Sequence, residues 1–372
     1  MKKHSQAKNV AFFFKHDANK TLVVYTDDGI GFPAKHKFGN GLINSTWKVS
    51  ESKGEYILQK INTNVFSSPQ DISENLVMIK QYLDEVAPEY IFVGPLATKD
   101  GDYVLQTTSG VYRLFPYVPN STTIDEVADP DQAYHAAKQF GKFTRMLAAY
   151  NPLRLNVSIK DFHNLPLRVE QYKNALLFSS QERMERAQWA IEEIDRHLYI
   201  VADFKEIMQQ NRLNLRVIHH DTKINNVLLN ASTGQGICVI DLDTVMPGYF
   251  MSDVGDMMRT YLSPTNEEDT KIQNIVVRPE VFDAIHKGYM EEMNDVLDNA
   301  EKELFVYSGK FMIFMQALRF LTDFLNGDLY YRVSGPNHNL NRAINQIVLL
   351  NKYVEQEETF ENIAHSWRYQ NS

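Results

Sequence analysis

The sequence predicts a two-lobed α+β protein, with a β-rich first lobe over residues 1–118 and an α-rich second lobe over residues 119–372. Three observations predict it. Short alternating apolar runs separated by turn residues crowd the first part, long stretches at helical spacing fill the second, and the change comes once, at Phe115 to Asn120. No internal repeat or low-complexity linker interrupts the chain, so the lobes are expected to be closely tied, with Tyr117 to Thr122 as their connection.

In chain order, Asn9 to Phe14, Thr21 to Tyr25, Ser45 to Val49, Tyr56 to Ile61, Tyr90 to Val93, Tyr103 to Gln106 and Val111 to Pro116 read as strands of a mainly antiparallel sheet. One helix, Asp71 to Val86, interrupts them, because Ile72, Leu76, Ile79 and Leu83 recur at helical spacing. Helices are then predicted over Pro130 to Tyr150, Ser180 to Gln210, Arg278 to Asn294, Leu304 to Asn326 and Asn339 to Gln356. Among them, Val227 to Asn230 and Ile237 to Ile240 flank a glycine-containing turn and read as a β-hairpin.

Composition narrows the function classes. A chain of 372 residues that is 44% hydrophobic can bury substantial cores. The formal net charge is -9 and Lys and Arg are scattered, so no basic face for a polyanion is visible and nucleic acid is not an expected partner. No apolar run approaches the roughly 18 residues of a membrane span. The single cysteine, Cys238, lies in the apolar run Ile237 to Ile240 and reads as a buried strand residue. One thiol builds neither an internal disulfide nor a cysteine zinc site, and no secretory leader is read near Met1, so a cytoplasmic protein is expected, as monomer or weak dimer.

The chemistry concentrates in Val217-Ile-His-His-Asp-Thr-Lys-Ile-Asn-Asn-Val-Leu-Leu-Asn230, followed by Ile237-Cys-Val-Ile-Asp-Leu-Asp243. If Asn230 pairs with Ile237, the hairpin ladder puts Asn226 across from Asp241. Directly opposed residues lie about 4.5–5.5 Å apart at Cα, so one divalent ion fits between the two side chains. Asp221 lies in the loop just before. Phosphoryl transfer needs these parts: a carboxylate to orient or deprotonate the acceptor hydroxyl (Asp221), and an amide and a second carboxylate (Asn226, Asp241) to hold a metal against phosphates. Hard oxygen ligands suit Mg²⁺, and the lack of a dense His/Cys cluster argues against zinc.

The string His219-x-Asp221 with Asn226 five residues after the aspartate, then Ile240-Asp241 after a short hairpin, resembles the motifs of the aminoglycoside phosphotransferase and choline kinase superfamily. Further matches, Phe38-Gly-Asn-Gly-Leu-Ile-Asn-Ser-Thr46, Tyr56-Ile-Leu-Gln-Lys-Ile-Asn62, Val239-Ile-Asp-Leu-Asp-Thr-Val-Met-Pro-Gly248 and Arg319-Phe-Leu-Thr-Asp-Phe-Leu-Asn-Gly-Asp328, look like its N-acetylhexosamine 1-kinase branch. The resemblance implies a protein-kinase-like fold, with a nucleotide-binding first lobe and a catalytic, substrate-binding second lobe. It also implies ATP with Mg²⁺, and phosphorylation of the anomeric hydroxyl of N-acetylglucosamine or N-acetylgalactosamine.

Other residues are weighed against plainer roles. His219 is expected to orient the catalytic loop through hydrogen bonds rather than act as a base. Gly39, Gly41 and Asn44 suggest a turn that covers the nucleotide, or an ordinary hairpin turn. No P-loop string exists, since Ser308-Gly309-Lys310-Phe311 falls within a predicted helix. The family's strand cation falls on Gln59 here, with Lys60 next; alternation lets one of the two face the cleft, and Lys60, paired with Glu74, is the expectation. Phe115 and Tyr117, at the join of the lobes, complete the nucleotide-contacting set. Asp243 either shares the metal or holds the loop, and Asp256 either braces the active-site loops or pairs with Arg259 along a helix.

Arg319 stands four residues before Asp323 on an apolar helix, as an intrahelical ion pair or as a sugar ligand. Tyr330 is a candidate to face the sugar, in an aromatic cluster with Tyr331 and Trp367. Two alternatives stay open at this point: a kinase for another small alcohol or an aminoglycoside, and a catalytically silent nucleotide-binding scaffold. Arg319 speaks against a polycationic acceptor, and the presence of Asp221, Asn226 and Asp241 together speaks against a silent scaffold.

Overall fold

Strand alternation organises the first sheet. A computed structural model of the chain describes residues 10–16, 20–26, 36–37, 44–51, 54–108 and 110–371. Chain contacts divide it into one unit of residues 1–120, 153–159 and 242–245 and a second unit of residues 121–152, 160–241 and 246–372. In the first unit, β1 (Val10–His16) and β2 (Lys20–Thr26) form a separate antiparallel hairpin. A five-stranded antiparallel sheet follows, with β3 (His36–Lys37), β4 (Ser45–Glu51), β5 (Gly54–Ile61), β6 (Leu105–Thr107) and β7 (Gly110–Pro116) in the order β3-β4-β5-β7-β6.

Tyr56 and Leu58 of β5 lie on one face with Tyr112 and Leu114 of β7, and Trp47, Val49, Leu96 and Leu105 close over them. The opposite face pairs Gln59 with Arg113. Helix α1 (Pro69–Val86) starts with Pro69 in its first turn and buries Ile72, Leu76, Ile79 and Leu83, the apolar stripe expected from the sequence. Tyr90 to Val93 is not a strand. Both edges of β7 are already taken by β5 and β6, and the segment closes a tight turn in which the Gly94 N–H donates to the Phe92 carbonyl at 3.0 Å.

The second unit is mainly helical: α2 (Pro130–Met146), α3 (Leu165–Phe178), α4 (Gln181–Arg196), α5 (Tyr199–Gln209), α6 (Phe250–Tyr261), α7 (Pro279–Met293), α8 (Asn299–Lys302), α9 (Phe305–Leu325), α10 (His338–Glu355) and α11 (Glu357–Asn371). Helix α9 is buried almost all round, which makes it the core element against which α3, α4, α6 and α10 pack. The approach of α6 is close: a Cβ on Gly255 would stand 2.2 Å from the Ser308 carbonyl oxygen, so no larger residue fits there. The single helix expected over Ser180 to Gln210 is two, because the chain breaks at His197, whose N–H bonds back to the Glu193 and Ile194 carbonyls. No helix among the described residues is long and apolar enough to cross a membrane.

Two small β elements carry the loops of this unit. β9 (Arg216–Ile218) pairs with β12 (Met246–Gly248), and β8 (Ser121–Thr122), β10 (Val227–Asn230) and β11 (Gly236–Val239) form a three-stranded sheet. Cys238 is fully buried in β11, and burial pushes its thiol up to about 12. The folded protein is therefore expected to leave Ellman's reagent unreacted at pH 8 and to release one equivalent of chromophore only in denaturant, since the thiolate is the reactive species. Rapid labelling of the native chain would contradict this placement.

Candidate active site

The loop after β9 is held from several sides. The His219 and His220 backbone N–H groups donate to the two oxygens of Asp253 at 3.0 and 2.6 Å, and the Thr222 N–H donates to Asp256 at 2.8 Å. Both acids lie on α6 and are buried. Burial lifts the Asp253 carboxyl to about 7 against the two N–H bonds that favour its ionised form, and it raises Asp256 as well, against the pull of Arg259. Asp256 also accepts from Arg259 Nε at 2.8 Å, so the loop brace and the helical ion pair are one arrangement. The Tyr261 hydroxyl closes the set on the Thr222 carbonyl at 2.6 Å.

His219 links this loop to the hairpin. Its ring is buried between Phe140 and Phe143, its Nδ1 accepts the Asp221 N–H at 3.3 Å, and its Nε2 meets the Ile240 carbonyl at 2.9 Å. A carbonyl can only accept, so the bonds assign the neutral Nε2–H tautomer. In this form both ring nitrogens of His219 are engaged, one with the Asp221 loop and one with the hairpin.

Asn226, in a 3₁₀ turn over Ile224–Asn226, donates its amide to the Asp221 carbonyl at 2.8 Å, and its own carbonyl accepts the Ile240 N–H at 2.8 Å. The expected facing of Asn226 and Asp241 needs correction by one residue. Val227 pairs with Val239 and Leu228 with Cys238, so Asn226 falls opposite Ile240. The Asn230 side chain caps the turn through the Ser232 and Thr233 N–H groups, which brings Gly236 opposite Leu229; the ladder then absorbs Ile237 as a bulge.

Asp221, Asn226 and the residue before Asp241 are thus tied into one hydrogen-bond network. Two residues beside it hold left-handed backbone, His220 at φ +67° and Asp241 at φ +57°. Such conformations cost of order 1–3 kcal/mol in side-chain-bearing residues and gather at functional sites. Gly248 makes room for the first, since a Cβ there would lie 2.4 Å from His220 Nε2. Lys223 was not singled out from the sequence, although it stands two residues after Asp221. Its Nζ lies 3.2 Å from Asp221 Oδ1, and that carboxylate raises the ammonium above its ordinary value.

Within the first unit, Asp243 and Arg113 form a buried ion pair. Asn44 Nδ2 donates to Asp243 at 2.8 Å and its Oδ1 accepts the Asn62 N–H at 3.0 Å. Gln59 Oε1 accepts from Arg113 Nε at 2.9 Å, and Gln59 Nε2 reaches Thr46 at 3.3 Å. Here the expectation for Lys60 is corrected. Lys60 is registered with Tyr112, on the face opposite Gln59 and Arg113, and its ammonium lies 5.8 Å from the Tyr112 ring. It makes no pair with Glu74, which is exposed and accepts from Asn156 at 3.2 Å. The cation bonded to Gln59 is Arg113, legible in retrospect as a charge inside the apolar alternation of Val111 to Pro116. Its guanidinium lies 4.9 Å from the Phe115 ring, while Tyr117 lies under Lys48 at 3.7 Å and bonds back to Glu55. Gly39 and Gly41 fall outside the described residues.

In the second unit, Arg319 and Asp323 do not pair. Asp323 accepts the Leu329, Tyr330 and Tyr331 N–H groups at 2.9, 2.8 and 2.9 Å, and so fixes the loop after α9. Arg319 donates to Gln316 at 3.2 Å and lies 5.5–5.9 Å from the rings of Phe162, Tyr330 and Tyr331, on the wall of a cavity of about 420 Å³. Trp367 is not part of this aromatic group; it packs edge-on against His286 of α7.

Comparison with known proteins agrees with this architecture. The fold is similar to that of an aminoglycoside phosphotransferase from Alicyclobacillus acidocaldarius (12% identity, TM-score 0.59, covering 90% of this chain and 94% of that one). It is also similar to a microcompartment-associated aminopropanol kinase (16% identity, TM-score 0.58, 87% and 93%). A third likeness is to a spectinomycin phosphotransferase solved with ADP and spectinomycin (14% identity, TM-score 0.55, 88% and 92%). Residues 36–278, well over half of the chain, match the phosphotransferase enzyme family. With the match and the shared fold together, the chain belongs to the phosphotransferase enzyme family.

Proposed function

We propose that the protein is an ATP-dependent kinase of a small alcohol, and that its acceptor is the anomeric hydroxyl of an N-acetylhexosamine such as N-acetylglucosamine or N-acetylgalactosamine. The observation that carries the kinase reading is the hydrogen-bond network around Asp221. Its backbone is held by His219 and Asn226, and the same two residues grip Ile240 immediately before Asp241. Asp221 then orients the acceptor hydroxyl and takes up its proton as the new O–P bond forms. Lys223, already beside that carboxylate, presents a cation to the phosphoryl group.

Asn226 and Asp241 would hold Mg²⁺. Asn226 uses its amide nitrogen on Asp221, while its Oδ1 accepts no hydrogen bond among the described residues, which leaves an oxygen for a hard cation. Held there, the ion would neutralise charge on the nucleotide's phosphates. Residues 1–118 would supply the nucleotide contacts, from Gly39, Gly41, Asn44, Phe115 and Tyr117, with Gln59, held by the buried Arg113, taking the place expected of Lys60. In the same proposal, residues 119–372 supply catalysis and acceptor binding.

The sugar reading is supported by the string Arg319 to Asp328 and by the charge of the cavity that Arg319 and Tyr330 line. An acceptor with several ammonium groups needs carboxylates, and the one carboxylate there, Asp323, is taken by the backbone. The test is ADP release with N-acetylglucosamine, N-acetylgalactosamine, galactose, choline and kanamycin. An N-acetylhexosamine is expected to turn over with the highest kcat/KM, and the product to carry an acid-labile anomeric phosphate. Turnover confined to choline or kanamycin would overturn the acceptor assignment, and silence with all five would overturn the sugar kinase as a whole.

A further inference from the structure

We propose that the cavity along α3 and at the C-terminal end of α9 is a subsite for an anionic substituent carried by the acceptor: a carboxylate, sulfate or phosphate group. The inference rests on the sugar-kinase reading above and specifies the chemical class of its acceptor. The cavity of about 420 Å³ is framed by Arg168 and Arg319, the amides of Gln171 and Asn174, and the rings of Phe178 and Tyr330.

Neither arginine has a carboxylate partner among the described residues. Arg168 donates to the Asp161 and Phe162 carbonyls at 2.7 and 3.2 Å and to Gln171 Oε1 at 2.9 Å, and its Nε is buried with no acceptor. Arg319 has Gln316 and three aromatic rings. In the same unit Arg183, Arg216, Arg259 and Arg342 each meet an aspartate or glutamate. The single acid in the cavity wall, Asp323, has both oxygens bonded, to three backbone N–H groups and to Asn339.

Two guanidiniums sharing one cavity repel each other. Burial lowers the Arg168 guanidinium below its ordinary value, and the charge of Arg319 pushes the same way. An acceptor bearing only hydroxyls leaves that repulsion in place; an anion between the two guanidiniums relieves it with charge-assisted bonds. The mouth of the cavity explains the rest of the ligand. Phe178 and Tyr330, which line it, are 84 and 67% exposed, aromatic faces suited to the carbon face of a sugar ring.

The test is equilibrium binding to the full chain in chloride buffer. N-acetylglucosamine 6-phosphate and glucuronate are titrated beside their neutral counterparts N-acetylglucosamine and glucose, with inorganic sulfate as the bare ion. At least one charged sugar is expected to bind about tenfold or more tightly than its neutral counterpart, as a pair of charge-assisted bonds allows. Arg168→Gln and Arg319→Gln should each bring that ratio to within about threefold, while Arg168→Lys should retain part of it. Ratios within twofold for both pairs in the wild-type chain would overturn the proposal, whatever the variants do. So would sulfate that binds as tightly as either charged sugar, because the cavity would then take a free anion. ADP release from neutral sugars alongside equal affinities removes the anionic subsite and leaves the kinase; charged-sugar binding without ADP release from any sugar does the reverse.

Discussion

Asp221→Asn is expected to lower kcat by about 10²- to 10⁴-fold, the usual weight of a positioned proton acceptor, while nucleotide affinity stays within a few-fold of wild type. The substitution is nearly isosteric, and the bonds that place the loop are made by the Asp221 backbone, its N–H to His219 and its carbonyl to Asn226. What changes is the charge and basicity of one carboxylate and the partner of Lys223. ADP-release kinetics together with binding of a fluorescent ATP analogue separate the two effects. A variant with near-normal kcat, or one that keeps its circular dichroism but no longer binds nucleotide, would remove Asp221 from the acceptor side.

The second large effect is on stability. Asp243→Ala leaves the Arg113 guanidinium buried without its anion and takes an acceptor from Asn44, which should cost about 3–5 kcal/mol of unfolding free energy. Arg113 is 1% exposed, so water cannot replace the missing partner without opening the sheet. Removing both charges, as in Arg113→Met with Asp243→Leu, should recover most of that loss, because the penalty lies in the uncompensated charge rather than in the absence of the pair. Urea unfolding of the three proteins measures this. A loss below about 1 kcal/mol for Asp243→Ala would mean that Arg113 finds another partner.

Elements whose buried face is written as a period were legible in the sequence. The stripe Ile72, Leu76, Ile79 and Leu83 set α1, the alternation of Tyr56 and Leu58 set β5, and the apolar length of Phe305 to Leu325 set α9. Helices α3, α8 and α11 were not foreseen, and α6 was read only in the pairing of Asp256 with Arg259 along a helix. In α6, Asp253 and Asp256 interrupt the apolar pattern, yet both are buried because each carboxylate meets backbone N–H groups of the loop after β9. A polar residue that is satisfied from a distant segment looks, in one dimension, like a surface residue.

For the candidate site, residue types and local spacing determined the most. His219, Asp221, Asn226 and Asp241 lie on a loop and a hairpin close in sequence, where chain geometry leaves little freedom, and family membership follows from the same string. Tertiary structure alone decided which of Gln59 and Lys60 shares a face with Arg113, which residue opposes Asn226, and where the charge of Arg319 goes unmatched. The reason is the same in each case. Strand register turns on single-residue shifts at a bulge, and charge compensation depends on partners far away in the chain: Arg113 lies 130 residues from Asp243.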